Sequence, residues 1–204
     1  MIDALRAAAG RDVSRETFER IEAFVTLLKE AAAGQNLVAR STLELIWERH
    51  ILESAQLVRF EPRGGASWLD IGSGAGLPGI VVALLVDGSV TLVEPRRLRV
   101  DFLNLVVDQL GLRRRIAIRQ EKVERVSGSF DVITARAVAS LNRVLEISSH
   151  LSTKKTIWVL PKGRRARTEL AEARRAWQGV FHVEQSVTDP DSEIVVASGV
   201  GEKI

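Results

Sequence analysis

The sequence predicts an α/β fold, a parallel sheet wrapped by helices, closed by an antiparallel C-terminal hairpin and preceded by a helical extension. Three observations predict it. Residues 1–60 carry apolar side chains at helical spacing. From Trp68 onward, short apolar runs alternate with amphipathic ones, the rhythm of strands and crossover helices. Between the first two runs lies a glycine-rich turn, Asp70-Ile71-Gly72-Ser73-Gly74-Ala75-Gly76-Leu77-Pro78-Gly79. The chain has 204 residues, 46% of them hydrophobic, which suits one full core and excludes a disordered chain. The joint falls in Arg59–Ala66, with Pro62, Gly64 and Gly65, and separates a helical extension (1–60) from the sheet domain (61–204).

In chain order, Phe18, Ile21, Val25 and Leu28 define a helix that begins after Ser14 and stops at Gly34. Ser41-x-x-Glu44 reads as a capping box opening a second helix, with Leu43, Ile46, Trp47, His50, Ile51 and Leu57 on one face. Strands are expected at Trp68–Ile71, Val90–Val93, Ile116–Ile118, Phe130–Ala135 and Thr156–Leu160. Helices should start near Leu77, run from Arg97 to Leu110 with Phe102, Leu105, Val106 and Leu110 inward, follow Ser140 to Leu151, and span 168–178. Val180–Val187 and Ile194–Ala197, around Asp189-Pro190-Asp191, read as the hairpin.

The glycine turn distinguishes two cofactor classes. The dinucleotide fingerprint G-x-G-x-x-G fits only in the frame Gly74, Gly76, Gly79, which leaves Asp70 and Gly72 unexplained. The frame Asp70-x-Gly72-x-Gly74-x-Gly76 uses every special residue. It is the pattern of the Rossmann-like, class I methyltransferases that use S-adenosylmethionine (SAM), and five parallel strands closed by an antiparallel pair is their sheet. Ligands of such sheets bind at the carboxyl ends of the strands. Glu94, just after the second strand, is therefore placed to accept ribose hydroxyls. Gln120 to Glu124 follow the third strand, where an adenine would lie. Arg136 follows the fourth, either as a site residue or in a structural salt bridge to Glu94 or Glu124.

Composition narrows the chemistry. There are no cysteines, which excludes a disulfide framework, a cysteine zinc site and a cysteine nucleophile. No apolar run approaches a membrane span, and the charged N-terminus is unlike a secretion signal, so a cytoplasmic protein with no membrane partner is expected. Residues 61–175 hold 20 Lys/Arg against 12 Asp/Glu, whereas residues 1–60 hold 8 against 9. Of the basic clusters, Arg113 to Arg115 read as a solvated helix end after Gly111, and Lys162, Arg164, Arg165 and Arg167 read as a nucleic-acid contact. His50 reads either as a hydrogen-bonded packing histidine or as a substrate contact. The fourth strand lacks the Asn/Asp-Pro-Pro-aromatic motif that grips an exocyclic amine, and no Ser/His/acid set stands at the strand ends. Such a site suits a nucleophile with a free lone pair, such as guanine N7, for which no general base and no metal are needed. A methyltransferase for a small molecule or protein stays open beside it, as do a nucleotide-binding oxidoreductase and a SAM-binding module without turnover.

The chain resembles the bacterial guanine-N7 methyltransferases of 16S ribosomal RNA, the glucose-inhibited division protein B family, from about residue 20 to the end. Asn36-Leu37, Arg49 to Ser54, Leu69 to Gly79, Leu92 to Pro95, Val123-Glu124, Phe130-Asp131, Ala135-Arg136-Ala137 and Lys162-Gly163 carry the likeness. The resemblance implies methyl transfer from SAM to a guanine N7 in the decoding-region loop of 16S rRNA, free or in the small ribosomal subunit, by a monomer. It implies that Gly72, Leu77, Val123, Glu124 and Arg136 contact the cofactor and that Asn36, His50 and Lys162 line the RNA side. Val38, Glu53 and Pro161 depart from the family's usual residues; Glu53 keeps the charge.

Overall fold

The computed structural model describes residues 1–35 and 37–203, with Arg40 described by its backbone alone. Helices α1 (Ile2–Ala9) and α2 (Arg15–Ala32) open the chain. Ser14 caps α2, its hydroxyl accepting the Thr17 N–H at 3.0 Å. Ile21, Phe24, Val25 and Leu28 form the buried stripe of α2, as their spacing requires.

The second expected helix forms differently. Arg40–Thr42 is a short 3-10 turn, closed by the Thr42 N–H on the Ala39 carbonyl at 2.9 Å and by the Thr42 hydroxyl on the same oxygen at 2.8 Å. Ser41 and Glu44 therefore make no capping box. The hydroxyl's bond to local backbone competes with a helix start. Leu45, 53% exposed, gives a helix there no apolar anchor. The helical segment begins only where Ile46 and Ile51 are buried. It is irregular: a π-wound Trp47–Leu52, a single α turn α3 (Glu53–Ala55) and a 3-10 turn Gln56–Phe60.

The sheet follows: β1 (Trp68–Ile71), β2 (Val90–Val93), β3 (Ile116–Arg119), β4 (Val132–Ala135), β5 (Ile157–Lys162), β6 (Trp177–Gln185) and β7 (Glu193–Glu202). Their order is β3-β2-β1-β4-β5-β7-β6. The first five are parallel, and β7 runs antiparallel between β5 and β6, as expected. The order reverses at β1, so a crevice opens between the carboxyl ends of β1 and β4. Helices α4 (Gly79–Leu85) and α5 (Arg97–Gln109) cover one face with the N-terminal helices, and α6 (Leu141–Ser148) and α7 (Ala166–Ala176) cover the other. Alternation along the strands splits the core accordingly. Trp68, Leu92 and Val132 face the first layer, and Leu69, Ile71 and Ile133 the second. Among the described residues no helix is long and apolar enough to cross a membrane.

Four local expectations are corrected. Leu105 is 46% exposed, because the buried stripe of α5 runs through Phe102, Leu103, Val106 and Val107. The helix expected to start near Leu77 begins at Gly79, with Pro78 just before it. β5 continues through Pro161 and Lys162, which pair with Ile194 and Glu193. Beyond Val159 it has no β4 partner, and that edge-like setting tolerates proline. The hairpin strands are longer than their apolar cores. Arg113 to Arg115 behave as helix-end residues: Arg113 holds Asp108 and Asn104, and Arg115 donates to the Ala83 carbonyl at 2.6 Å near the end of α4.

A Cβ on Gly79 would lie 2.3 Å from Leu92 Cδ2 and 2.6 Å from Asp70 Oδ2, whereas one on Gly64 would meet nothing within 4 Å. Gly79→Ala is expected to destabilise by about 1–3 kcal/mol, and Gly64→Ala by less than about 0.5 kcal/mol. Urea denaturation of both variants checks this; equal midpoints would refute the tight α4–β1 contact.

Candidate active site

The turn after β1 is set by backbone conformation. Gly72, Gly74 and Gly76 have φ of 66°, 52° and 81°, a region that side chains disfavour. The N–H groups of Gly72 and Ser73 donate to the Val93 carbonyl at 2.8 and 3.1 Å, which ties the turn to the end of β2. Glu94 follows there. Its Oε2 accepts the Gly74 N–H at 3.1 Å and its Oε1 the Arg96 N–H at 2.9 Å. Two backbone donors thus fix the carboxylate and leave each oxygen a lone pair for a diol.

Asp70, next to last in β1, is 1% exposed. Its Oδ2 accepts the Gly79 N–H at 3.1 Å, but its Oδ1 is buried without a partner. Thr134, its register neighbour on β4, likewise has a buried, unpaired hydroxyl. Burial pushes the Asp70 carboxyl up to about 7, against the bond from the Gly79 N–H; the Ser73 hydroxyl donates to the Asp70 backbone carbonyl at 2.9 Å. A buried carboxylate oxygen beside an unpaired hydroxyl can hold a cationic amine.

Opposite the glycines, a cleft of about 440 Å³ is walled by Val38, Thr42, His50, Glu53, Arg99 and Arg136. Arg136 leaves β4 and donates to His50 Nδ1 at 3.0 Å. That nitrogen must then be the acceptor, so His50 Nε2 carries the proton and donates to the Thr42 hydroxyl at 2.8 Å. Burial, with Arg136 and Arg49 nearby, pulls the His50 pKa down to about 4, so the ring is neutral at pH 7. Glu53 stands 3.9 Å from Arg136, and burial raises its carboxyl despite that neighbour. Arg136 is therefore paired with Glu53, and not with Glu94 or Glu124. Among the described residues no group of three His, Asp or Glu side chains is arranged to hold a metal ion.

Gly72, Gly74, Leu77, His50 and Arg136 line this cleft together. Gly76 turns inward, with Ile80 only 2.6 Å from where its Cβ would be. Val123 and Glu124 stand beyond β3, outside the cleft wall. Val123 packs in the core behind α6, and Glu124 faces Arg143 at 3.6 Å. Lys162 is no free surface cation: its side chain is 9% exposed, and its ammonium meets the Ala139 carbonyl at 2.8 Å and Glu169 at 3.0 Å. It lines a second cavity of about 310 Å³ that shares Glu53, Arg136 and Ala137 with the first. Arg164 and Arg165 are exposed at the rim, Arg164 bonded to Asp191. Asn36 lies outside the described residues. Sequence reasoning missed Thr42 and Glu169; the spacing Lys162 to Glu169 carries no motif, and only the β5–α7 packing brings the two together. Arg99, which follows Arg96 and Arg97 in the sequence, stands 3.8 Å from Glu94, a position that no local pattern encodes.

A family model described as rRNA small subunit methyltransferase G matches residues 17–194. Ribosomal RNA small subunit methyltransferase G of Zymomonas mobilis is 45% identical over 200 residues, covering 94% of this chain and 90% of that protein. The same-named protein of Rhizorhabdus wittichii is 46% identical, covering 92% and 88%. Among solved structures, a SAM dependent methyltransferase from Aquifex aeolicus superposes with a TM-score of 0.61 at 15% identity, covering 76% of this chain and 92% of that one. The likeness to that structure is one of fold: the class I, Rossmann-like sheet that the sequence predicts.

The Asp70 carboxyl titrates at about 7 in the fold against 3.8 in the unfolded chain. The folded state therefore holds an extra proton between those values, and stability falls as pH rises from 3.8 to about 7, then levels. Asp70→Asn removes this penalty, so the variant is expected to exceed the parent at pH 8 by on the order of 4 kcal/mol, the gap closing as pH falls toward 4. Melting of the ligand-free proteins across that range checks it, and a pH-independent gap would exclude a buried ionised Asp70.

Proposed function

The chain belongs to the rRNA small subunit methyltransferase G family, and on that premise we propose that it transfers a methyl group from SAM to N7 of a guanine in the decoding-region loop of 16S rRNA. The observation that carries the cofactor assignment is the cradle itself: positive-φ glycines between an unpaired buried Asp70 oxygen and a Glu94 carboxylate fixed by two N–H groups. These residues fit SAM, whose ammonium suits Asp70 and Thr134 and whose ribose diol suits Glu94. Leu77 and Arg136 join the cofactor site in this reading, and Val123 and Glu124, outside the cleft wall, are assigned to its adenine end by sequence resemblance. When bound, SAM supplies an electrophilic methyl on a sulfonium.

The N7 lone pair forms the new N–C bond as the S–C bond breaks, so the positive charge passes from sulfur to the base and no proton moves. The protein's part is then alignment and exclusion of water. Arg136, held by His50 and Glu53, makes a rigid wall between the two cavities, and the neutral His50 adds no charge to it. On the RNA side, His50 and Lys162 border the acceptor, and Asn36 is assigned to RNA contact by sequence resemblance alone. Arg164 and Arg165 on one flank, with the exposed Arg96 and Arg97 on the other, face the phosphates. We place the protein in the cytoplasm as a monomer, acting on 16S rRNA or the small subunit.

Labelled SAM, incubated with 16S rRNA or small subunits that lack the modification, should yield 7-methylguanosine on nucleoside digestion. Failure of both substrates would overturn the assignment. Gly74→Val should fold yet lose SAM binding by calorimetry, because position 74 has φ +52° and lies at the cofactor's path. Normal SAM affinity in the folded variant would refute the cradle.

A further inference from the structure

Beyond Arg136, the cavity of about 310 Å³ has a charged floor that the fold alone does not require. Lys162 on β5 and Glu169 on α7 are 9% and 15% exposed and form an ion pair at 3.0 Å. Burying such a pair is costly, and apolar residues often replace one without loss. The contacts are also lopsided. Lys162 and the Leu141 N–H, the latter at 2.7 Å, both fall on Oε2 of Glu169. Oε1 has no hydrogen-bond partner among the described residues. The ammonium uses one further hydrogen, on the Ala139 carbonyl at 2.8 Å, and has a third to give. The pair therefore presents one donor and one acceptor side by side, in a cavity bordered by the apolar Ala137, Ala139, Pro161 and Ile194.

We propose that this cavity seats the acceptor guanine and that the Lys162–Glu169 pair reads its edge, a proposal that rests on the methyltransferase reading above. The Lys162 ammonium donates to O6, and Glu169 Oε1 accepts from N1–H. Adenine presents the opposite order, an amine toward the ammonium and a bare N1 toward the carboxylate, so both buried charges would lose their partner. Uracil and its O4/N3–H edge would match but bring no N7. With the edge on this floor, N7 lies on the O6 side of the base and can turn to the Arg136–Ala137 wall that the two cavities share. The methyl has to arrive across that wall.

The test compares parent and Glu169→Gln on 16S rRNA or small subunits, whichever the parent methylates, carrying guanosine or adenosine at the acceptor position. Glutamine can keep the bond to Leu141 N–H through its carbonyl, while its amide turns a donor toward the base. The guanosine-to-adenosine rate ratio of the variant should fall by roughly 10- to 100-fold, the range for losing a hydrogen bond to a charged group, with SAM affinity unchanged; the melting temperature falls, because Lys162 loses its counter-charge, but that loss acts on both rates alike. An unchanged ratio in a folded, SAM-binding variant would overturn the proposal, because a purely structural staple lowers both rates together. Should Glu169→Gln fail to fold, Lys162→Met tests the other half of the pair with guanosine against 6-thioguanosine, which keeps N1–H but has a weaker acceptor at position 6; its ratio should fall toward one, and an unchanged ratio would overturn the proposal. If the parent transfers no methyl to either RNA substrate, the methyltransferase reading fails first; if it does and the ratio holds, only this one fails.

Discussion

A carboxylate buried at the end of the central strand organises this molecule. Asp70 lies between β2 and β4 with one oxygen satisfied by the Gly79 N–H and the other unpaired. That single bond brings the first residue of α4 against β1 so closely that position 79 has no room for a side chain. The glycine turn must then reverse the chain within a few residues, which its three positive-φ positions allow. Folding alone gives no reason to retain an unpartnered buried acid, because desolvation penalises its charged form. Under the proposed reading, the cationic ammonium of the cofactor supplies the reason. Stability is given up at Asp70 in the free protein, and the same oxygen is ready when the cleft fills.

Arg136 plays the corresponding part on the acceptor side. It continues the face of β4 that carries Thr134, and so reaches the crevice directly from a strand. Its partners come from the irregular helix, with His50 accepting and Glu53 facing it. The π-wound stretch Trp47–Leu52 contains His50 and leads directly into Glu53, and such windings recur at functional sites. The hydroxyl of Thr42 completes the chain of bonds and holds one tautomer of His50. The same hydroxyl bonds the Ala39 carbonyl and so accounts for the late start of the helix. The local departure from the expected helix and the geometry of the cleft have one cause.

The strands, the glycine turn and the position of Glu94 were legible because each depends on local pattern: alternation, positive-φ residues, an acid after an apolar run. Ser14 and Ser140 were readable as helix starts for the same reason, and each accepts a backbone N–H of the first turn. Ser41 was not, since the competing bond from Thr42 is as local as the capping box and no pattern ranks the two. Leu105 shows another limit. Phe102, Val106 and Leu110 fit two helical stripes equally well, and only packing against the sheet selects the one through Leu103 and Val107. Lys162 was assigned as a basic surface residue from its neighbours Arg164 and Arg165. Its burial follows from pairing of β5 with β7 through position 162 and from the approach of α7, neither of which a charge cluster encodes. The partner of Arg136 was misread for a similar reason: Glu53 is distant in sequence and arrives from the helical extension.

Taken together, the charges fall into two groups with different work. Arg96, Arg97 and Arg165 are exposed around the crevice, and Arg164 is exposed but hydrogen-bonded to Asp191. Inside, each cation has its own acid: Arg136 with Glu53, Lys162 with Glu169. Under the proposed reaction this division is what the chemistry asks for. Methyl transfer from a sulfonium moves a positive charge onto the base and creates none, so an unbalanced cation in the interior would oppose both the cofactor and the methylated product. Phosphates, by contrast, are attracted by net positive charge, and that attraction is screened over about 8–10 Å in physiological salt. Placing the exposed arginines outside and neutral pairs inside lets RNA binding depend steeply on salt while the transfer step does not.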